Sequence, residues 1–383
     1  MSRRLLLVVG AATGAGALAV AGLALVGSAD TAGAQADAWS GWTGRIDAVT
    51  VADRAAMTPD DPIAVGLLSR SAAAASSVAY AGVAVSWDRS GTVSTEITHL
   101  PGRGTVARPV GASVSPATFA PEGRSGSFAD DGRPLALLRD NYRVLREADL
   151  DATIAGRASD AVVAVDAAGA LQARYWLDRA TGLLLRKELL DTSGAVRQRT
   201  GFSTLRVGPQ PASAVPTAVK DAWTEPLDAT ALTAARTTGC ACPDALPGGL
   251  ELLDSRRAPA GSVSTMPVVH QLFSDGLVSV SLFSLAGSIS ADDGAGLVAR
   301  GFAREELAGS YAWVRGGTDA SPTATVVWTC RGSVLTLVTD DAVDPLSTAA
   351  AVLAAFPADA DPAADTFWAR VARGWTRVTG HAA

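Results

Sequence analysis

"ARYWLDRATGLLLRKELLDTSG", residues 173–194, has the pattern of two strands joined by a turn. A hairpin with one buried and one solvated face shows regular alternation of apolar and polar residues. This hairpin instead carries apolar and aromatic side chains on both faces. Tyr175 and Leu177 share one face, whereas Trp176 lies on the other, because successive side chains of a strand point to opposite sides.

The second strand repeats this two-sided pattern, and we expect Leu183 and Leu185 to lie opposite Leu184 and Leu190. Both faces of the hairpin must then be covered. Either both sides are core, or one side is core and the other lines a cavity or a partner surface, since large exposed apolar areas mark interaction sites.

Short strand-like runs separated by Gly, Asp, Pro and Ser surround the hairpin from residue 80 to residue 207, and "ALLRDNYRVL", residues 136–145, is one of them. Short turns between consecutive runs favour an antiparallel sheet. Before them, Asp61 and Pro62 are suited to cap and open a helix that ends before Tyr80. The fold class is therefore α+β.

A second strand-rich unit follows, and its clearest part is "VVHQLFSDGLVSVSLF", residues 268–283, with a hairpin turn at Ser274, Asp275 and Gly276. A closing helix is predicted in "DPLSTAAAVLAAF", residues 344–356. The predicted organisation is a signal peptide or membrane anchor (1–34), a spacer (35–60), an N-terminal domain (61–207), a linker (208–243), a C-terminal domain (244–357) and a tail (358–383).

The N-terminus indicates an extracytoplasmic protein. "MSRR" precedes a long uncharged stretch and an Ala32-Gly33-Ala34 cleavage pattern, as in a signal peptide. The stretch is also close to the ~20 residues that span a bilayer, so an uncleaved membrane anchor is the alternative interpretation. The net charge of -6, without a cluster of Lys and Arg, argues against a nucleic-acid-binding protein.

Three cysteines suit an oxidising compartment, and we predict a disulfide between Cys330 and either Cys240 or Cys242. The alternative is a zinc site formed by the three cysteines and His270. The spacing of the cysteines favours zinc only weakly, so we predict no metal and no cofactor.

Catalytic residues are few. His99 and His270 lie in strand-like apolar runs, His381 lies in the tail, and Ser125 in "GRSGS" lacks the spacing of a nucleophile elbow. Acidic pairs such as Asp292-Asp293 are interpreted as solvated turns. With no convergent acid, base and nucleophile, we predict a binding protein and not an enzyme.

The chain resembles the extracytoplasmic sigma-E regulators of the RseB/MucB type, in their actinobacterial form. The resemblance rests on stretches that occur in the same order over most of the chain. They are "LLSRSAAAASSVAYAGVAVSW" (67–87), "ITHLPGRGT" (97–105), "LRDNYRVL" (138–145), the hairpin at 173–194, "GFSTLRV" (201–207), "LPGGLELLDSRR" (246–257) and "VVHQLFSDGLVSVSLF" (268–283).

This resemblance implies an N-terminal domain similar to lipoprotein carriers, a half-open antiparallel barrel covered by helices, and a smaller antiparallel C-terminal domain. It implies binding to the extracytoplasmic segment of a membrane-bound anti-sigma factor, whose proteolysis the protein modulates, and in some members a lipid-like ligand. The alternative is a lipid or lipoprotein carrier with the same barrel.

Carried over to this chain, the resemblance makes Trp176, Leu183 and Leu185 candidate residues of the ligand cavity. Phe273 and Phe283 are candidates for the partner surface.

Overall fold

The structure is a computed structural model that describes residues 60–88, 91–110, 118–120, 133–215, 225–237, 240–258, 267–316, 323–339, 343 and 345–356. The predicted leader and tail, and all of the spacer except residue 60, lie outside these residues. Ser125 and His381 also lie outside them. No helix in the described ranges is long and apolar enough to cross a membrane.

Residues 60–215 form the first unit. Its helices are α1 (Pro62–Ser77) and α2 (Arg133–Asn141), with short 3-10 helices at Ala148–Leu150 and Ala212–Ala214. Its strands are β1 (Tyr80–Asp88), β2 (Gly91–Leu100), β3 (Gly104–Pro109), β4 (Thr118–Ala120), β5 (Arg143–Arg146), β6 (Thr153–Ile154), β7 (Arg157–Val165), β8 (Leu171–Asp178), β9 (Leu184–Leu190) and β10 (Val196–Val207).

Residues 225–356 form the second unit. Its helices are α3 (Ala229–Thr237), α4 (Ala291–Val298) and α5 (Pro345–Ala355). Its strands are β11 (Glu225–Pro226), β12 (Ala245–Leu246), β13 (Leu250–Ala258), β14 (Val268–Ser274), β15 (Ser279–Ala286), β16 (Ala303–Leu307), β17 (Ser310–Arg315), β18 (Ala324–Cys330) and β19 (Ser333–Thr339).

Each unit is built on one main antiparallel sheet. The first has the order β4-β3-β2-β1-β10-β9-β8-β7-β5, and the second has the order β11-β13-β14-β15-β19-β18-β17-β16. Within the described residues the first path is open, since β4 and β5 at its ends do not pair. The α+β class with antiparallel sheets predicted from the sequence is confirmed.

Register shifts interrupt four successive strand pairs of the first sheet, β1–β10, β10–β9, β9–β8 and β8–β7. Each such irregularity bends its strand and increases the local twist. The sheet therefore has a built-in source of curvature along the part that contains the two-faced hairpin, β8 and β9.

One face of the hairpin packs on helices and on the second unit. Tyr175 and Leu177 lie, fully buried, in a cluster with Leu68 of α1, Leu138 of α2 and Phe273 of β14. This cluster continues through β18 and β19 to α5, so a single hydrophobic core runs through both units. The face of the hairpin that carries Tyr175 and Leu177 is therefore part of the hydrophobic core.

The opposite face packs on a segment of the same unit. Fully buried Trp176 lies in a cluster with Leu145, Leu150 and Ile154, which belong to β5, the 3-10 helix after it and β6. Its indole Nε1 donates a hydrogen bond of 2.8 Å to the carbonyl of Leu150. The hairpin is apolar on two sides because each side carries a separate buried cluster.

The prediction that Leu185 and Leu190 lie on opposite faces of the hairpin is wrong. Leu185 lies in the same cluster as Trp176 and Leu190, not opposite Leu190. The register shift between Trp176 and Leu177 leaves Leu185 as the extra residue of β9, because Trp176 pairs with Arg186 and Leu177 with Leu184. A strict period of two fails at such a bulge.

The helix predicted from Asp61 and Pro62 is confirmed as α1, where the Asp61 side chain accepts a hydrogen bond of 2.8 Å from the backbone N–H of Ile63. The closing helix is also confirmed, as α5. The run 136–145 was predicted as a strand, and this is wrong for most of its length. Residues 133–141 form α2, which buries Leu135 and Leu138 on one side, and only β5 is extended.

Asp292 and Asp293 lie in the first turn of a helix, not in a turn between strands. Ser290 caps α4 by accepting a hydrogen bond from the backbone N–H of Asp293, and the Asp293 carboxylate accepts one from the backbone N–H of Ser290. This reciprocal arrangement is a capping box. Asp293 therefore helps to start the helix.

Candidate functional site

The tip of the β14–β15 hairpin forms a polar junction with the first unit. The hydroxyl of Tyr142 donates a hydrogen bond of 2.6 Å to one carboxylate oxygen of Asp275. The other carboxylate oxygen accepts from the backbone N–H groups of Leu277 and Val278, at 2.8 and 2.9 Å. The amide of Asn141 donates to the Asp275 carbonyl at 3.2 Å. One aspartate thus shapes its own turn and binds the other unit.

Two further contacts complete this junction. The Nζ of Lys187 on β9 donates to the carbonyl of Leu277 at 2.8 Å. Gly276 has φ +95°, and a Cβ built on it would lie 2.2 Å from the backbone nitrogen of Leu138 in α2. Backbone therefore packs on backbone at this point, and only glycine permits both the left-handed conformation and the approach.

The junction is electrostatically distinct because its hydroxyl groups are withdrawn from water beside a carboxylate. Burial, followed by the negative charge of Asp275 and the hydrogen bond to it, raises the pKa of Tyr142 far above its ordinary value. Burial and the same carboxylate also raise the pKa of Tyr175. Both phenols keep their protons, so the Tyr142 hydroxyl stays a donor to Asp275.

A charged row crosses the opposite face of the sheet on β8, β9 and β10. The carboxylate of Glu188, fully buried, accepts hydrogen bonds from Arg174 at 3.3 Å and from Arg199 at 2.7 Å. Burial lowers the pKa of Arg174 despite the attraction of Glu188. The next cross-strand pair places the guanidinium of Arg186 over the ring of Trp176, 5.4 Å from its centroid.

Burial also lowers the pKa of Arg186, to about 10. A lowered pKa means that burial destabilises the charged form of this guanidinium relative to its form in water. This face of the sheet therefore places three arginines around one buried carboxylate.

Asp178 at the end of β8 supplies a pH-dependent contribution to stability. Burial alone would raise its pKa, but hydrogen bonds from Arg157 and Thr181 outweigh burial and hold the pKa below its ordinary value of 3.8. The stabilisation is present above that ordinary value and is lost as the pH falls through the lower folded value.

We expect Asp178→Asn to have a shallower loss of stability between about pH 5 and pH 2 than the parent, because the titrating group is gone. Urea unfolding at a series of pH values measures this difference. Glu251→Gln, at an exposed position on β13, serves as the control and should follow the parent curve. Parallel curves for Asp178→Asn and the parent would contradict the assignment.

The predicted cavity residues are all buried. Trp176 and Leu185 are fully buried in the cluster that surrounds Trp176, and Leu183, which directly precedes β9, is 4% exposed. Their assignment to a ligand cavity stays a prediction. The predicted partner residues are buried as well, Phe273 in the core shared by the units and Phe283 beneath the ring of His270, at 4.4 Å between centroids.

The predicted disulfide to Cys330 is not formed. The structure joins Cys240 to Cys242, with 5.3 Å between their Cα atoms. Cys330 ends β18 in the shared core, and its Sγ contacts the carbonyl of Phe356 at 2.9 Å. Cys242 lies in a different cluster with Leu227, Leu232 and Val269, so packing separates it from Cys330.

The two histidines considered as catalytic bases belong to different sheets. His99 on β2 stacks on Tyr80 and lies 2.9 Å from the hydroxyl of Thr105. His270 on β14 lies 3.1 Å from the hydroxyl of Ser281. The structure does not gather them into one site. Across the described ranges, no three His, Cys, Asp or Glu side chains come together as metal ligands.

Sequence reasoning missed the junction and the charged row. Asp275 and Gly276 were identified as a turn, but nothing in a hairpin signal says which surface its tip will contact. A signal for the row does exist, since Arg174, Glu188 and Arg199 interrupt apolar strands. Charged residues inside a run that is covered on both sides indicate a buried ion pair.

The family model described as the MucB/RseB N-terminal domain matches residues 115–227, a segment that contains β4 to β11 and the whole two-faced hairpin. No curated protein matches the chain.

A comparison with solved structures matches the chain to MucB in complex with MucA(peri), with 21% identity and a TM-score of 0.46 over 76% of this chain and 97% of that chain. The complex of Pseudomonas aeruginosa MucA and MucB has 20% identity and a TM-score of 0.42 over 76% and 97%. A LolA superfamily protein from Nitrosomonas europaea has 7% identity and a TM-score of 0.18 over 40% and 97%.

Proposed function

We propose that this chain is an extracytoplasmic regulatory protein that binds the extracytoplasmic segment of a membrane-bound anti-sigma factor and modulates its proteolysis. The observation that carries the proposal is the match of residues 115–227 to the MucB/RseB N-terminal domain. The ordered sequence resemblance extends the same reading into the second unit. MucB, which the chain matches at 21% identity, was solved in complex with MucA(peri).

The first sheet has the properties that a half-open barrel requires. Its path is open within the described residues, register shifts bend four successive strand pairs, and α1 and α2 pack on one face. We propose that the sheet curves around the side covered by these helices. Of the candidate cavity residues, Trp176 and Leu185 lie on the opposite face of that sheet, where they pack on the segment from β5 to β6, and Leu183 directly precedes β9.

Because the two units share one hydrophobic core, a partner would meet them as a single folded body. Asp275, Lys187 and the packing of Gly276 on Leu138 hold the second unit against the first. For the anti-sigma segment we propose the second unit around β14 and β15. Because the rings of Phe273 and Phe283 are buried, a partner would contact neighbouring groups that are partly exposed, such as Leu272 and Ser281.

A lipid-like ligand that releases the partner, and attachment to the membrane through residues 1–34, belong to the same proposal. Attachment would raise the local concentration of the protein beside a membrane-bound partner without new contacts. The alternative is a lipid or lipoprotein carrier with the same sheet. Organic extraction of the purified protein followed by mass spectrometry separates the two, since a carrier would yield stoichiometric lipid.

We expect the full chain, tagged at its C-terminus and purified from solubilised membranes of its own organism, to co-purify with a membrane-bound anti-sigma factor. The measurement is mass spectrometry of the eluate. Gly276→Ala serves as the comparison and should enrich less of the anti-sigma factor, because it disturbs the junction between the units. Enrichment of no anti-sigma factor above an untagged control would contradict the proposal.

A further inference from the structure

The Cys240–Cys242 bond closes a very short loop, because the two residues are separated by two positions. In the chain-entropy description, the stabilisation from a disulfide grows with the length of the loop that it closes. A bond across three residues removes little freedom from the unfolded chain. The Cys240–Cys242 bond is therefore expected to add little to the stability of the fold.

The loop is also held in place by contacts that need no sulfur. The backbone N–H of Cys240 donates to the carbonyl of Ala235 at 3.0 Å, at the end of α3. Arg236 donates to the Cys242 carbonyl at 2.6 Å and pairs with Asp244.

One more contact fixes the end of the loop. The amide of Gln271 donates to the carbonyl of Pro243 at 2.8 Å. These four anchors remain when the sulfur–sulfur bond is broken, so the loop can keep its shape in both redox states.

The two sulfur-bearing residues differ in exposure. Cys242 is fully buried beside Leu232 and Val269, whereas Cys240 is partly exposed. A thiolate from outside can therefore approach the Cys240 residue and not Cys242. Cys330 is buried in another cluster.

We infer that Cys240 and Cys242 form a thiol–disulfide exchange site whose co-substrates are dithiols of the extracytoplasmic space. One thiolate of the dithiol attacks Cys240 Sγ, the sulfur–sulfur bond breaks, and Cys242 leaves as a thiolate that takes a proton from water. The second thiol of the dithiol then attacks the mixed disulfide and releases Cys240. The dithiol is oxidised by two electrons and the protein pair is reduced by two.

The test equilibrates the folded full chain with mixtures of reduced and oxidised dithiothreitol and quenches the exchange with acid. The chain is then unfolded, its free thiols are alkylated, and its tryptic peptides are measured by mass spectrometry. Residues 237–256 carry both members of the pair in one peptide, and residues 316–331 carry Cys330. We expect two alkylations on the first peptide with a single midpoint, one on the second in every mixture, and a Tm lowered by no more than about 6 °C on reduction.

Single variants test the direction of attack. Cys242→Ser should leave a Cys240 that forms a mixed disulfide with oxidised glutathione, whereas the buried thiol in Cys240→Ser should react at least about tenfold more slowly. Cys330→Ser should not move the midpoint. A pair that becomes reducible only when the chain unfolds, or two thiols that stay free under oxidising conditions, would overturn the inference.

Discussion

Replacing Gly276 by alanine is expected to lower the free energy of unfolding by about 2 to 5 kcal/mol, because a strained backbone and an overpacked contact add together. The residue has φ +95°, where L side chains are disfavoured. The new Cβ would also meet the nitrogen and Cα of Leu138 at 2.2 and 2.4 Å, and backbone atoms of a helix cannot move aside as a side chain can.

The matched control is Gly248→Ala. Gly248 has φ +79°, but a Cβ built there has no atom within 4 Å, so this variant carries only the backbone strain of about 1 to 2 kcal/mol. Urea unfolding measures both variants, and limited proteolysis of residues 208–243 reports separation of the units. Equal effects at the two glycines would contradict a tight junction between the hairpin tip and α2.

Replacing Glu188 by glutamine is expected to cost about 3 to 5 kcal/mol, the usual penalty for leaving a buried charge without its partner. The carboxylate is fully buried, and it accepts hydrogen bonds from Arg174 and Arg199. Glutamine keeps the size of the side chain but removes the charge, and two guanidinium groups then face each other across β9.

Glu251→Gln, an exposed position on β13, is the control and should stay within about 0.5 kcal/mol of the parent. The double variant Arg174→Met with Glu188→Gln should regain part of the lost stability, because it removes the more deeply buried cation. Thermal unfolding followed by circular dichroism measures all four proteins. A Glu188→Gln variant as stable as Glu251→Gln would rule out the charged row as a buried network.

The elements that sequence patterns predicted are those with a strong local signal. Asp61 and Pro62 start α1, the Asp275-Gly276 turn joins β14 to β15, and apolar side chains on both sides of residues 173–194 predicted a hairpin covered on both faces. In each case the chemistry of a few adjacent residues decides the structure.

The failures have a different physical origin. The run 136–145 reads as a strand, but α2 forms because its leucines pack on the first sheet and on the tip of the second. The position of Leu185 depends on a register shift, and the pairing of Cys240 depends on which elements pack together. Contacts between distant residues decide these features, so no local pattern indicates them.

The most direct test of the central claim is the binding of the purified chain to the extracytoplasmic segments of anti-sigma factors from its own genome. Isothermal titration calorimetry gives the stoichiometry and the affinity. We expect a 1:1 complex with one such segment and weaker binding by Gly276→Ala than by Gly248→Ala. Absence of binding to every such segment, with the parent chain folded, would contradict it.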